Sequence, residues 1–354
     1  MTPINLLEYE ILAKQHLSPM AWDYYISGAW DEVTLRDNRA ALAKYKLRPR
    51  MLVDVSQRDL TTEILGQSFS CPIFIAPMAF QCLADPQGEL ATVRAATSVG
   101  TGMVLSTMST KSMEEVALAG VPEKLWFQLY IHRDRFLTRT LVERAEAAGF
   151  QALCLTVDAP VLGRRERDQK NQFTLPSGME LGNLVDLQLP QTARESGLFA
   201  YVAEQFDPGL TWKDLDWLQS ISKLPVIVKG ILRGDDAVKA VEYGAQAIIV
   251  SNHGGRQLDG AIATIDALEE VVEAVGDQVE ILMDGGIRRG TDILKALAFG
   301  AKAVLIGRPI LWGLAVEGEA GVRHILALLK DELDIAMALS GCTKIEDIER
   351  SLVQ

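Results

Sequence analysis

Two short stretches of the chain gather groups suited to proton and anion chemistry. Ser251-Asn-His-Gly-Gly-Arg256 sets an imidazole three residues before a guanidinium, and Asp284-Gly-Gly-Ile-Arg288 sets a carboxylate and a guanidinium on either side of two glycines. Imidazole exchanges protons near neutral pH, a guanidinium grips a carboxylate or phosphate through paired N–H donors, and glycine lets backbone amides approach an anion. Gly307-Arg308-Pro309 repeats the glycine and arginine pairing. Gly285, Gly286, Arg288, Gly307 and Arg308 together predict a phosphate site.

The chain has four histidines. His16, His132 and His324 fall on predicted helices or their edges and read as surface or packing residues, whereas His253 directly follows an apolar run. A histidine that works as a base needs a carboxylate to orient its ring, and Asp158, ending Thr156-Val-Asp158, is the candidate. Arg256 is placed to hold a substrate carboxylate beside it. Lys229 reads either as a Schiff-base amine or as a fixed positive charge beside a cofactor that accumulates electrons. A buried lysine paired with a carboxylate is the structural alternative. Met103, Met108 and Met113 are core filler by default, with Met108 set apart only by its place just after an apolar run.

The elements that must position these groups are eight apolar runs rich in β-branched residues: Ile73 to Ala76, Met103 to Ser106, Leu125 to Leu129, Ala152 to Val157, Val226 to Lys229, Ala247 to Ser251, Glu280 to Met283 and Ala303 to Ile306. Amphipathic stretches separate them, the alternation of a parallel sheet covered by helices. Three runs share an introduction, Gly149-Phe-Gln-Ala152, Gly244-Ala-Gln-Ala247 and Gly300-Ala-Lys-Ala303, in which a left-handed glycine ends the preceding helix. Eight units without a GxGxxG turn predict an α/β fold of the (β/α)8 TIM-barrel type rather than an open doubly wound sheet. In such a barrel the catalytic groups gather at the C-terminal strand ends, where the polar phrases stand.

The whole of 1–354 is read as one domain, with an extension over 1–70, helical and then turn-rich, a barrel over 71–340 and a long insertion over 159–210 read as a lid. The net charge of −12 excludes a nucleic-acid surface, and the longest apolar stretch, broken by Pro72 and Pro77, is too short to span a membrane. Four dispersed cysteines predict neither a disulfide framework nor a metal site. No signal peptide opens the chain, and a cytoplasmic setting is expected.

These residues carry a resemblance. Asp23-Tyr-Tyr-Ile-Ser-Gly28, Ile75-Ala-Pro-Met-Ala79, Gln128-Leu-Tyr130, Thr156-Val-Asp158, Leu162-Gly-Arg-Arg-Glu166, Val228-Lys-Gly230, Ser251-Asn-His-Gly-Gly-Arg-Gln-Leu-Asp259 and Asp284-Gly-Gly-Ile-Arg288 make the chain similar to the FMN-dependent α-hydroxy-acid oxidases and dehydrogenases nearly end to end. The resemblance implies FMN, its ring against Pro77, Met78 and Ala79, with Ser106, Gln128, Thr156 and Lys229 around the polar edge. It places Ser251 and Asp284 near the ribityl chain, and Gly285, Gly286, Arg288, Gly307 and Arg308 at the phosphate. Tyr24, Tyr130, Arg165 and Arg256 would hold the substrate's carboxylate and hydroxyl, with His253 as base, Asp158 stabilising its cation and Lys229 stabilising charge on the reduced flavin. Oxidation of a small L-2-hydroxy acid to a 2-oxo acid, with dioxygen reduced to hydrogen peroxide, is the implied reaction, and a homotetramer or larger assembly the implied form.

Met78 and Met108 stand where glycolate oxidases typically carry threonine and tryptophan, which favours L-lactate over glycolate. Ser351-Leu-Val-Gln354 lacks the peroxisomal ending of the plant enzymes. Ala79 favours dioxygen as acceptor, since some dehydrogenases of the family have glycine there. The rival readings are a dehydrogenase using another acceptor, a non-redox FMN barrel isomerase and a barrel that only binds.

Overall fold

The computed structural model describes residues 2–185 and 205–354. Three helices open the chain: α1 (Leu6–His16), α2 (Pro19–Ile26) and α3 (Val33–Lys44). The first two begin at capping side chains, Asn5 accepting from the Glu8 amide and Ser18 from that of Ala21, with Pro19 in the first turn where its missing N–H costs nothing. A hairpin follows, β1 (Thr62–Ile64) and β2 (Gln67–Phe69), joined by Leu65 and Gly66, both left-handed as a two-residue turn of the twisted ribbon requires.

Eight parallel strands then close on themselves: β3 (Ile73–Ile75), β4 (Gly102–Ser106), β5 (Leu125–Leu129), β6 (Ala152–Thr156), β7 (Val226–Ile231), β8 (Ala247–Val250), β9 (Glu280–Asp284) and β10 (Ala303–Ile306), with β10 pairing β3. Each lies within two residues of a run expected from the sequence. Every strand is buried on both faces, which is why the runs read as continuous apolar segments rather than as alternations. Gly149, Gly244 and Gly300, at φ of 87°, 81° and 100°, do end helices in the left-handed region.

Inside the barrel Phe74, Val104, Trp126, Ile227, Ile249, Leu282 and Leu305 pack together, and Ile64 and Phe69 of the hairpin close the N-terminal mouth over them. The Phe69, Phe74 and Trp126 rings pack in series, tilted to one another, with centroids 4.5 and 4.6 Å apart. The hairpin was not apparent in a segment expected to be only turn-rich. With that mouth plugged, the C-terminal ends of the strands form the open face. Of the insertion expected over 159–210, residues 186–204 lie outside the described residues, and its first part carries a helix, Glu166–Lys170.

Candidate active site

A cavity at the C-terminal strand ends is lined by side chains from nearly every strand and from α2. Tyr24, Pro77, Met78, Ala79, Ser106, Met108, Gln128, Tyr130, Thr156, Arg165, Lys229, His253, Arg256, Asp284, Gly285, Gly286, Arg288, Gly307 and Arg308 all border it. Of the site residues expected from the sequence, Asp158 and Ser251 do not border it, but each bonds to a residue that does.

His253 Nδ1 lies 2.8 Å from Asp158 Oδ1. Burial works to raise the Asp158 carboxyl, but His253 and Lys229 together hold it below the usual carboxylate range, so it is ionised and can only accept. Nδ1 therefore carries the proton, and Nε2 is left basic. Burial pushes His253 below the ordinary histidine value against the pull of Asp158, so the neutral imidazole is the resting form at neutral pH. The close approach depends on Gly230, at φ 114°, where a Cβ would meet the Asp158 Cβ at 2.6 Å. Gly230 is also where the register between β7 and β8 slips, between Lys229 and Ile231.

Across the barrel a polar chain links the strand ends. Ser106 Oγ donates to Gln128 Oε1, whose Nε2 donates to Thr156 Oγ1. Lys229 Nζ donates to Ser251 Oγ at 2.8 Å and pairs with Asp284 Oδ2 at 3.1 Å. Burial acts to lower the Lys229 ammonium, but Asp284 and Asp158 outweigh it and raise it above its ordinary value. A Schiff-base amine needs the opposite shift, so Lys229 is a fixed cation.

Beyond the lysine the walls turn to arginine. Burial lowers Arg288 to about 10, with Arg39 adding to the effect, and lowers Arg308 well below its ordinary value, with Arg256 and Arg288 adding. Among the described residues no carboxylate forms an ion pair with Arg256, Arg288 or Arg308; Arg288 instead lies over the Trp312 ring at 4.8 Å. Gly286 sits against α3, and a Cβ there would meet the Asn38 carbonyl oxygen at 2.3 Å, so the loop after β9 can adopt this path only with glycine. Asp292 Oδ2 accepts from the Arg288 and Arg289 amides and fixes the loop's far end. Uncompensated buried cations beside a helix that begins at Arg308 make an anion cradle.

Apart from Tyr24, sequence reasoning missed what α2 and α3 contribute. Arg256 Nη1 donates to the Tyr24 and Ser27 carbonyls at 2.7 and 3.0 Å, and Arg308 donates to those of Tyr25, Ser27 and Gly254. The C-terminal carbonyls of α2 thus aim both guanidiniums, as a helix dipole favours. Asn38 and Asn252 exchange amide hydrogen bonds of 2.8 Å, and the Asn252 oxygen also accepts from the Gly255 amide. Gln257 spans from the Asp158 and Val161 carbonyls to the Gly163 amide. An amide side chain carries no sign of such a bond in sequence, because its partner is set by the fold.

A carboxylate-oriented histidine, a buried cation at the strand ends and an anion cradle after the last two strands define a (β/α)8-barrel enzyme of the phosphate-ligand class. A model of the FMN-dependent dehydrogenase family matches residues 13–354. An L-lactate oxidase of Nostoc sp. is 66% identical over 358 residues, covering 99% of this chain and 98% of that protein. The glycolate oxidase of Spinacia oleracea is 53% identical over 349 residues, 98% and 94% of the two chains. Among solved structures, mandelate oxidase with (S)-4-hydroxymandelic acid superposes with a TM-score of 0.94 at 41% identity, over 99% of this chain and 98% of that one. A soluble mutant of the membrane-associated (S)-mandelate dehydrogenase of Pseudomonas putida gives 0.93 at 39% identity, over 100% and 99%. The chain belongs to the FMN-dependent dehydrogenase family, and its cofactor is FMN. The cavity fits that group, because the unneutralised Arg288 and Arg308 suit a phosphate and the buried Asp284 Oδ1, which has no partner, suits a hydroxyl donor.

Proposed function

We propose that the protein oxidises small (S)-2-hydroxy acids to 2-oxo acids, with L-lactate preferred to glycolate and dioxygen as the acceptor. The observation that carries the reading is His253, oriented by Asp158 at 2.8 Å, in one cavity with Tyr130, Arg165, Arg256, Arg288 and Arg308. FMN, when bound, supplies a two-electron acceptor that dioxygen returns to the oxidised form with release of hydrogen peroxide.

The residues divide the remaining work. Arg165 and Arg256 hold the substrate carboxylate, and Tyr130, whose phenol burial and Asp158 keep protonated, donates a hydrogen bond to the substrate. Oxidation removes two electrons and two protons from the α-carbon and its hydroxyl: His253 Nε2 takes one proton, the other leaves with the electron pair to the acceptor or is released to solvent, and ionised Asp158 stabilises the imidazolium. Lys229 stays charged and offsets negative charge that builds on the ring beside it. Pro77, Met78, Ala79, Ser106, Gln128 and Thr156 would frame that ring, Ser251 and Asp284 the ribityl chain, and Gly285, Gly286, Arg288, Gly307 and Arg308 the phosphate. Ala79 on the cavity wall supports dioxygen as acceptor, and a cytoplasmic homotetramer belongs to the same reading.

The test is a visible spectrum of the purified protein. Flavin absorbance that bleaches with L-lactate without air, then returns with air as pyruvate and hydrogen peroxide form in equal amounts, is expected. A flavoprotein that L-lactate and glycolate leave oxidised would sink the proposal.

A further inference from the structure

Behind the two arginines at the substrate end lies a carboxylate that the reaction does not use. Asp168, on the helix Glu166–Lys170, has a side chain with no exposure, and neither of its oxygens has a hydrogen-bond partner. Its Oδ2 lies 3.7 Å from Arg165 Nη1, itself 5% exposed and with its Nε unpartnered. The Tyr24 ring joins the group, with the Arg165 guanidinium 5.9 Å and the Arg256 guanidinium 5.0 Å from its centroid and Phe173 stacked on it at 4.3 Å. The Phe173 amide donates to the Asp168 carbonyl, which fixes the helix end against that ring.

An ionised carboxylate left buried without hydrogen bonds is expensive, and it persists only where neighbouring charge compensates. Burial raises the Asp168 carboxyl above its ordinary value; of the charges that face it, Arg256 and Arg165 work against that rise and favour its ionised form, and Asp23 opposes them. Arg256 needs it in turn: burial and then Arg165 lower it to about 10, with Tyr24 and Asp168 working against both. Two guanidiniums and one carboxylate leave a single net positive charge, the complement of one substrate carboxylate. Without Asp168 the site would hold two, and would bind an anionic substrate and an anionic product alike more tightly, which slows the product's release.

We propose that Asp168 is a positioning residue, the fixed counter-charge of the Arg165 and Arg256 pair, which limits how tightly the site holds a 2-oxo acid so that product leaves. The inference rests on the proposed function, because only a carboxylate-bearing ligand gives the pair its purpose.

The experiment titrates flavin-loaded protein with pyruvate and with its uncharged analogue pyruvamide, reading the perturbation of the flavin spectrum. Asp168→Asn keeps the shape and removes the charge. It is expected to bind pyruvate at least about fivefold more tightly and pyruvamide within about twofold of the parent, with KM for L-lactate falling alongside. A merely structural role would weaken both ligands together, and that result, or an unchanged ratio, overturns the proposal. Should this variant not fold, Arg165→Gln with Asp168→Asn removes both members of the 3.7 Å pair. That double variant should bind pyruvate more tightly than Arg165→Gln alone, and equal affinity overturns the proposal. Failure of both to fold makes Asp168 a folding residue and overturns it as well. A parent protein that neither bleaches with L-lactate nor responds to pyruvate fails the functional reading itself, whereas a responsive parent with an unaltered variant fails only this inference.

Discussion

His253 holds a backbone conformation that a side chain disfavours, φ 58°, and the two glycines after it continue in the left-handed region at 64° and 75°. The strain, about 1–2 kcal/mol, is held by the Asp158 bond and by the Ser251 hydroxyl accepting from the His253 amide. His253→Gln should leave FMN bound and cut flavin reduction by L-lactate at least ~100-fold, read by stopped-flow absorbance; near-normal reduction would remove His253 as the base. The same pair sets a pH limit. With His253 below the ordinary histidine value near ~6.5, kcat/KM should fall on acidification with a midpoint below that value. Asp158 favours the imidazolium, so Asp158→Asn should move the limb to still lower pH while slowing the reaction, and a shift upward would contradict the assignment. Met78 and Met108, both on the cavity wall, bear on the substrate. A methyl group buried against these thioethers gains about 0.8 kcal/mol, so kcat/KM should favour L-lactate over glycolate by a few-fold to at most ~200-fold. Met108→Trp should lower that ratio, and an unchanged ratio would take Met108 out of the explanation.

The loops after β3 and β4, which carry those two methionines, are joined by a group that the sequence did not mark. Glu89 is fully buried; its Oε1 accepts from the Gln81 and Thr110 amides, and its Oε2 from the Thr110 hydroxyl and the Lys111 amide. Glu89→Ala leaves these donors without acceptors in the interior, so the urea midpoint should fall by the equivalent of about 2–4 kcal/mol and the lactate-to-glycolate ratio should change with it. A variant as stable as the parent would show that water replaces the carboxylate. Eight runs could be read because a strand buried on both faces must be apolar throughout, a property that local sequence carries. The β1–β2 hairpin could not, since three-residue strands alternate too briefly to show a period. Glu89 looked like any first-turn glutamate, because its partners stand in two loops brought together only by the barrel.

At the scale of the molecule the barrel does not build its site alone. The groups proposed to do chemistry could be singled out because histidine and arginine beside glycine at strand ends have few structural uses, and the architecture fixes where strand ends point. What aims them could not, because α2 and α3 act mainly through backbone carbonyls and the Asn38 and Arg39 side chains. Removing residues 1–45 would deprive Arg256 and Arg308 of the Tyr24, Tyr25 and Ser27 carbonyls, the Gly255 carbonyl of the Ala29 amide, Asn252 of Asn38, and the Gly286 carbonyl of Arg39. Two buried guanidiniums would then lose most of their acceptors, and the loop after β9 the surface it lies on. The truncated chain is therefore expected to lose FMN on purification, measured as visible absorbance per chain. Asn38→Ala is the milder form of the same cut: it leaves the arginines aimed and removes one buried amide pair, worth about 1–3 kcal/mol. It should stay folded by circular dichroism and bind FMN at least about fivefold more weakly. A truncated barrel that keeps FMN at parental affinity would show that the strands and their loops suffice, and that α2 and α3 only cover a site already made.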